Sequence, residues 1–278
     1  MTAFRIANLD CYFTIAKPHL VCEDYALTGA APTPHLIVCD GCSSSENTDV
    51  GSRIIALSAR KALYEHFTAA AGRNPPAYSD FGYAVINRAR HVADLLGIAP
   101  ACLDATLLAA FPYHNHLYVY IYGDGYVTTI DRAGQFAVTQ LAYSQNMPYY
   151  LTYWLDPARR ERYLQANQAG QAVVTVTEYR DGQEQVRKSN YDAPLVFPFA
   201  LSECQILALT SDGVGSLLAA EANGKIPAWE ILRQLVAYKT TKGDFVKRRA
   251  RRMLKEYEKQ GIYPSDDLSI ATLLVSHE

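Results

Sequence analysis

The chain has 278 residues, enough to bury a sizeable core in one large domain or two small ones. Hydrophobic residues make up 49% and charged residues 19%, an ordinary globular composition that excludes a disordered chain. A formal net charge of −2 excludes general nucleic-acid binding driven by charge, and no apolar stretch approaches the roughly 20 residues that span a bilayer. Neither nucleic acid nor membrane is therefore expected as a partner. The N-terminus has no basic region followed by an apolar run, so no signal peptide is expected. Six sparse cysteines then read as reduced thiols of a cytoplasmic protein.

In chain order, residues 3–8, 25–28 and 35–39 read as short strands. A helical pattern runs from Asn47 to about Ala70, with Val50, Ile54, Leu57 and Leu63 on one stripe. Asn74-Pro75-Pro76 breaks it, and a second helix runs from Ser79-Asp80 to near Gly97. Strands follow at 106–111, 117–122 and 126–130, joined by Tyr113–Asn115 and Gly123-Asp124-Gly125, as an antiparallel meander. Residues 141–170 read as irregular and Tyr-rich, partly helical around Pro157–Gln168. Two strands at 172–179 and 184–188 flank the hairpin turn Asp181-Gly182, and another spans 205–210. Helices are expected at 214–222, 228–239 and 244–259, before a closing strand at 268–275. The last of these helices carries Lys247, Arg248, Arg249, Arg251, Arg252 and Lys255, which suggests a docking patch for nucleic acid or an acidic partner. Val246, Ala250, Met253 and Tyr257 form a stripe on the same helix, so a solvated face on a packed helix is the preferred reading of the basic run.

Strands, two helices, more strands, then helices and a final strand predict an α+β fold. Two antiparallel sheets would pack face to face with helix pairs outside, in one domain. No GxGxxG, Walker A, HExxH or GxSxG sequence is present. Cys39 and Cys42 make one CxxC without a second, and His114 and His116 fall in a polar turn, so Cys39 reads as a small buried strand residue rather than a zinc ligand.

Four acidic stations stand out: Glu23-Asp24, Asp40-Gly41, Ser211-Asp212-Gly213 and Asp266-Asp267. Three of them border apolar runs, at 36–39, 206–209 and 270–275. Carboxylates at strand ends converge in space although far apart in sequence, and hard divalent cations take such oxygen ligands.

With their neighbours, Val21-Cys22-Glu23-Asp24, Val38-Cys39-Asp40-Gly41, Asp104-Ala105-Thr106-Leu107, Tyr122-Gly123-Asp124-Gly125, Thr210-Ser211-Asp212-Gly213 and Asp266-Asp267-Leu268-Ser269, these stations resemble the motifs of the protein phosphatase 2C family, in the family's order. The chain resembles a divergent bacterial-type member. The resemblance implies a four-layer α-β-β-α sandwich over 1–278, with a variable flap insertion at about 141–200. It implies a signalling enzyme that hydrolyses phosphoserine and phosphothreonine in proteins phosphorylated by a serine/threonine kinase. Two Mg²⁺ or Mn²⁺ ions would activate a hydroxide. Asp40 would bridge the ions, Asp212 and Asp266 would complete one, the Gly41 carbonyl would help hold the other, and Glu23 and Asp24 would bind directly or through water. Asp124 would be the ligand of a third ion, although Ser216 stands where some members place a further Asp. The family's phosphate-gripping Arg is replaced by His19, with Lys17 nearby, and Cys42 stands where a His general acid is common. These departures motivate the alternative of a pseudophosphatase that binds phosphorylated partners without turnover. Tyr143, Tyr149, Tyr150, Tyr153 and Trp154 would either contact substrate or pack against the body.

Overall fold

The computed structural model describes residues 4–69, 74–167, 171–180, 182–219 and 226–277. In chain order the elements are β1 (Phe4–Thr14), β2 (Tyr25–Gly29), β3 (His35–Cys39), α1 (Thr48–Thr68), α2 (Tyr78–Leu96), β4 (Leu107–Tyr113), β5 (His116–Tyr122), β6 (Gly125–Asp131) and β7 (Phe136–Tyr143). After α3 (Pro157–Ala166) come β8 (Val173–Arg180), β9 (Gln183–Asn190), β10 (Leu195–Ala200), β11 (Cys204–Thr210), β12 (Leu217–Ala219), α4 (Ala228–Leu235), α5 (Phe245–Glu258), β13 (Ile262–Pro264) and β14 (Leu268–His277).

Two antiparallel sheets carry the fold. One has the order β1-β14-β11-β6-β7-β8-β9, the other β10-β5-β4-β3-β2. The period of two in the strands sorts side chains into layers. In β3, Leu36 and Val38 point between the sheets, while Ile37 and Cys39 point to the helices, and all four are fully buried. The inter-sheet core joins Leu36, Val38, Leu108 and Ile121 to Leu207, Leu209, Ala271 and Leu273. Outside the smaller sheet, α1 and α2 contribute Ile55, Leu63, Val85 and Ile86. Outside the larger sheet, α4 and α5 contribute Ile231, Leu232, Val246, Ala250 and Met253. The expected α-β-β-α sandwich is therefore observed.

Three local expectations change. Residues 136–143 form β7, which buries Phe136 and Val138 against α4 and α5 and Leu141 and Tyr143 between the sheets. Residues 195–200 form β10, at an edge of the smaller sheet, where Pro198 removes no needed ladder donor. The helix expected at 214–222 is instead a 3₁₀ turn over Asp212–Ser216 followed by β12, which pairs with β13. Its remainder from residue 220, and Asp181 of the expected hairpin turn, lie outside the described residues. Of the stretch expected as a flap, β8 and β9 extend the larger sheet and β10 joins the smaller, while 144–167 belongs to neither sheet but packs Tyr149, Leu151 and Tyr163 into the core.

Candidate active site

Asp40 leaves the end of β3 with its backbone clamped. Its N–H donates to Thr106 Oγ1 at 3.0 Å, and its carbonyl accepts from Thr106 N at 2.8 Å. Gly41 then passes so close to α1 that a Cβ would lie 2.8 Å from Thr48 Cβ and 3.1 Å from Glu23 Cβ. The glycine is a packing requirement: it lets the first turn of α1 and the Glu23 loop approach together. Asp24 precedes β2, and its Oδ2 accepts from Ser211 Oγ at 2.6 Å. Asp212 opens the 3₁₀ turn after β11. There a Cβ on Gly213 would fall 1.6 Å from the Asp267 carbonyl oxygen, so the β11 and β14 ends meet backbone to backbone. Asp124 sits in the β5–β6 turn between Gly123 (φ 103°) and Gly125 (φ 133°), a backbone path that glycine takes without strain. The Asp266 N–H donates to Ser216 Oγ at 3.0 Å.

Five strand-end carboxylates thus converge. Burial pushes the Asp40 carboxyl well above the usual carboxylate range, and the charges of Asp24, Asp212 and Asp124 push it further. Asp124 moves the same way through burial and then Asp212 and Asp266. Asp266 also rises, through burial and Asp212. Burial pushes Asp24 up to about 7 against the lowering hydrogen bonds from Ser211 and Ser269. These are the signs of massed like charge in a poorly solvated place. Asp124, Asp212 and Asp266 line one open cavity of about 560 Å³ with Gln140, Asn146 and Ser216.

The other expected site residues are employed differently. Glu23 accepts from Thr48 Oγ1 at 2.6 Å, and its carbonyl accepts from Gly41 N at 3.2 Å, so it ties the motif loops to each other. His19 Nδ1 lies 3.0 Å from Asp267 Oδ1, and Lys17 Nζ stands 4.1 Å over the Tyr263 ring. Ser216 is spent on the backbone of Ser265 and Asp266.

Sequence reasoning missed the supports. Asp267, 2% exposed, accepts from Ala16 N (2.7 Å), Glu23 N (2.7 Å) and His19, closing the 16–23 loop onto β14. Asp104, also 2% exposed, accepts from Ser45 Oγ (2.8 Å), Thr152 Oγ1 (2.7 Å) and Arg159 Nη2 (2.6 Å). It thereby binds the loop after Asp-Gly to α3 and the 3₁₀ turn before it. The sequence signal for Asp104 was its place at the start of an apolar strand, which is shared with many turn residues. Tyr150 faces Cys42, Asp124 and Asp40, and burial with those neighbours keeps its hydroxyl protonated. Tyr149, Tyr153 and Tyr163 pack on one another with ring centroids 5.2–5.3 Å apart.

Among the described residues, no three His, Cys, Asp or Glu side chains stand in metal-ligating geometry. Burial and the neighbouring carboxylates instead oppose ionisation of Asp40 and Asp124. The donor set nevertheless fits a hard divalent cation. It is all oxygen, and Asp24 Oδ1 is buried with no hydrogen-bond partner, an acceptor left for a cation to satisfy.

The protein phosphatase 2C family profile matches residues 16–255. Among solved structures the chain is similar to a bacterial serine phosphatase, at 15% identity and TM-score 0.57 over 99% of each chain. It is similar to the serine/threonine phosphatase Stp1 from Staphylococcus aureus, at 17% identity and TM-score 0.53 over 98% of this chain and 96% of that one. It is also similar to the catalytic domain of the serine/threonine protein phosphatase PstP in complex with two manganese ions, at 16% identity and TM-score 0.52 over 99% of each. At these identities the likeness is one of fold. No curated protein sequence matches the chain.

Proposed function

The chain belongs to the protein phosphatase 2C family, and from that membership we propose that it is a metal-dependent phosphatase of phosphoserine and phosphothreonine in proteins. The observation that carries the reading is the convergence of Asp24, Asp40, Asp124, Asp212 and Asp266, four of them raised by burial and mutual charge. Asp40 is the central ligand, because Asp24 and Asp212 flank it. Two Mg²⁺ or Mn²⁺ ions held there would relieve the repulsion, polarise phosphoryl oxygens and make water nucleophilic near neutral pH.

The chain's own residues do the positioning. Thr106 fixes the backbone of Asp40 from both sides, which preorganises the carboxylate before substrate arrives. Ser211 holds one oxygen of Asp24 and leaves the other free. Tyr150, protonated and facing Asp40 and Asp124, offers a hydroxyl donor to a phosphoryl oxygen. His19 Nε2 and Lys17 Nζ remain the cationic candidates for the phosphate.

Purified protein with Mn²⁺ is expected to release phosphate from an aryl phosphate and from a phosphothreonine peptide. Chelation or Asp40→Asn is expected to abolish both. Equal rates for the wild type and Asp40→Asn would refute the reading. Tight phosphopeptide binding without phosphate release would replace it with a binding module.

A further inference from the structure

A second cleft adjoins the carboxylates across the Ile262–Asp266 segment. Tyr263 and Pro264 line this cleft, while Ser265 and Asp266 line the carboxylate cavity. The cleft measures about 680 Å³. Its floor is apolar and aromatic, with Tyr12, Leu254 and Tyr263. Its walls carry Lys17, Arg251, Arg252 and Lys255 against one carboxylate, Glu258. Arg252 is paired with Glu256 at 3.2 Å. Among the described residues no salt bridge neutralises Lys17, Arg251 or Lys255. Lys17 instead rests on the Tyr263 ring, a contact of a cation with an aromatic face.

The arrangement is built, rather than being a solvated helix face by default. Val246, Ala250, Met253 and Tyr257 anchor α5 in the outer core. Asp10 Oδ2 of β1 accepts from Val246 N at 2.6 Å, which sets the helix against that strand. The basic half of α5 therefore lies beside Tyr12, Thr14 and Ile15 at the end of β1. Lys17, in the segment just past the end of β1, also lines the cleft and reaches over the Tyr263 ring. That segment also reaches the catalytic cavity, since Ala16 and His19 bind Asp267, the residue after Asp266. A peptide lying in the cleft would thus run toward the site along one continuous surface.

We propose that this cleft docks an acidic stretch of the phosphoprotein substrate that flanks its phosphorylated residue. The inference rests on the phosphatase reading. Uncompensated cations match peptide carboxylates, and the aromatic floor matches the apolar parts of the side chains between them. A nucleic acid is disfavoured because its phosphates would continue into the repelling Asp212 and Asp266, whereas a peptide brings one phosphate to that point. Exposed charge pairs of this kind act mainly on encounter and KM, and salt screens them.

The test compares steady-state kinetics with Mn²⁺ on an aryl phosphate, a phosphothreonine peptide flanked by Glu and Asp, and the same peptide flanked by Gln and Asn. The wild type is expected to favour the acidic peptide about tenfold in kcat/KM at low salt, with the preference shrinking as salt rises. Arg251→Glu combined with Lys255→Glu should erase the preference through KM. The rate on aryl phosphate should stay unchanged, because both side chains are exposed and outside the catalytic cavity. Equal kcat/KM for the two peptides in the wild type, or a preference that survives the double variant, would overturn the proposal. So would inhibition by a DNA oligonucleotide or anionic vesicles without discrimination between peptides. If aryl phosphate is not hydrolysed at all, the phosphatase reading fails by itself, and calorimetry with the unphosphorylated acidic peptide then decides the cleft. Binding lost in the double variant sustains the docking site, and equal or absent binding removes it.

Discussion

Buried carboxylates occur in two settings in this molecule, and only their partners tell the settings apart. Asp104 and Asp267 are each 2% exposed, and each is surrounded by donors: Ser45, Thr152 and Arg159 for one, two backbone N–H groups and His19 for the other. Asp24, fully buried, and Asp124, 6% exposed, are as hidden but face other carboxylates. The first pair hold loops together. The second pair, with Asp40 between them, have no salt-bridge partner among the described residues, and their ionisation is opposed by burial. Burial of an acid is thus no mark of a cation site, whereas burial against other carboxylates with an oxygen left unpartnered, as at Asp24 Oδ1, is.

The sharpest break of this comparison comes from opposite substitutions. Asp40→Asn removes a carboxyl whose ionisation burial and the neighbouring carboxylates oppose. It should lower Mn²⁺-dependent turnover by more than about 100-fold, while raising the melting temperature of the metal-free protein. Asp104→Ala removes the acceptor from Arg159, Ser45 and Thr152. It should cost about 3 kcal/mol of stability, seen in denaturant or thermal unfolding. If Asp40→Asn destabilised the metal-free protein as Asp104→Ala does, the division into two settings would be wrong.

A smaller effect is expected from pH. The folded carboxyl of Asp24 lies at about 7, above the ordinary 3.8. A raised folded pKa means that the native state holds its proton more tightly than the unfolded chain. Its contribution is complete below the unfolded value and is lost as pH rises through the folded one. Metal-free protein should therefore melt roughly 5 °C lower at pH 8 than at pH 5. Added Mn²⁺, which competes with protons for the same oxygens, should reverse the slope. A melting temperature that rises with pH without metal would contradict the assignment.

Much of this was legible in the sequence, for reasons particular to each element. The run Leu36–Cys39 is buried on both faces of β3 and so reads as continuous apolar sequence. Phe136–Tyr143 buries its apolar residues first on one face and then on the other, with Thr139 and Gln140 between, so no unbroken period of two marks a strand that lies inside the larger sheet. Pro198 disguises β10, because a proline is tolerated only where the edge leaves its nitrogen unpaired. The turn at Asp212–Ser216 reads as a helix start until the strand partner Ile262–Pro264, far along the chain, is seen to claim Leu217–Ala219. The acidic stations were visible as motifs on strand ends. Their division of labour was not: which carboxylates find donors depends on contacts such as Asp104 with Arg159 and Asp267 with Ala16, 55 and 251 residues apart.

The smallest expected effect lies where the two settings meet, at Ser211. Its hydroxyl donates to Asp24 Oδ2 at 2.6 Å and accepts from Ser269 N at 3.0 Å, so one buried side chain serves both a carboxyl of the cluster and the backbone of β14. Ser211→Ala should cost about 1–2 kcal/mol, because Ser269 N loses its acceptor inside the protein. It should also raise the Asp24 pKa further, since this hydrogen bond favours the charged form. Cation and proton compete for the same oxygens. The variant should therefore need several-fold more Mn²⁺ than the wild type at pH 6.5, and nearly the same amount at pH 8.5, where Asp24 is ionised in both. Calorimetric titration at the two pH values separates the two roles. A deficit in Mn²⁺ affinity that is equal at both would make Ser211 a support of β14 alone, and would leave Asp24 outside the cation site.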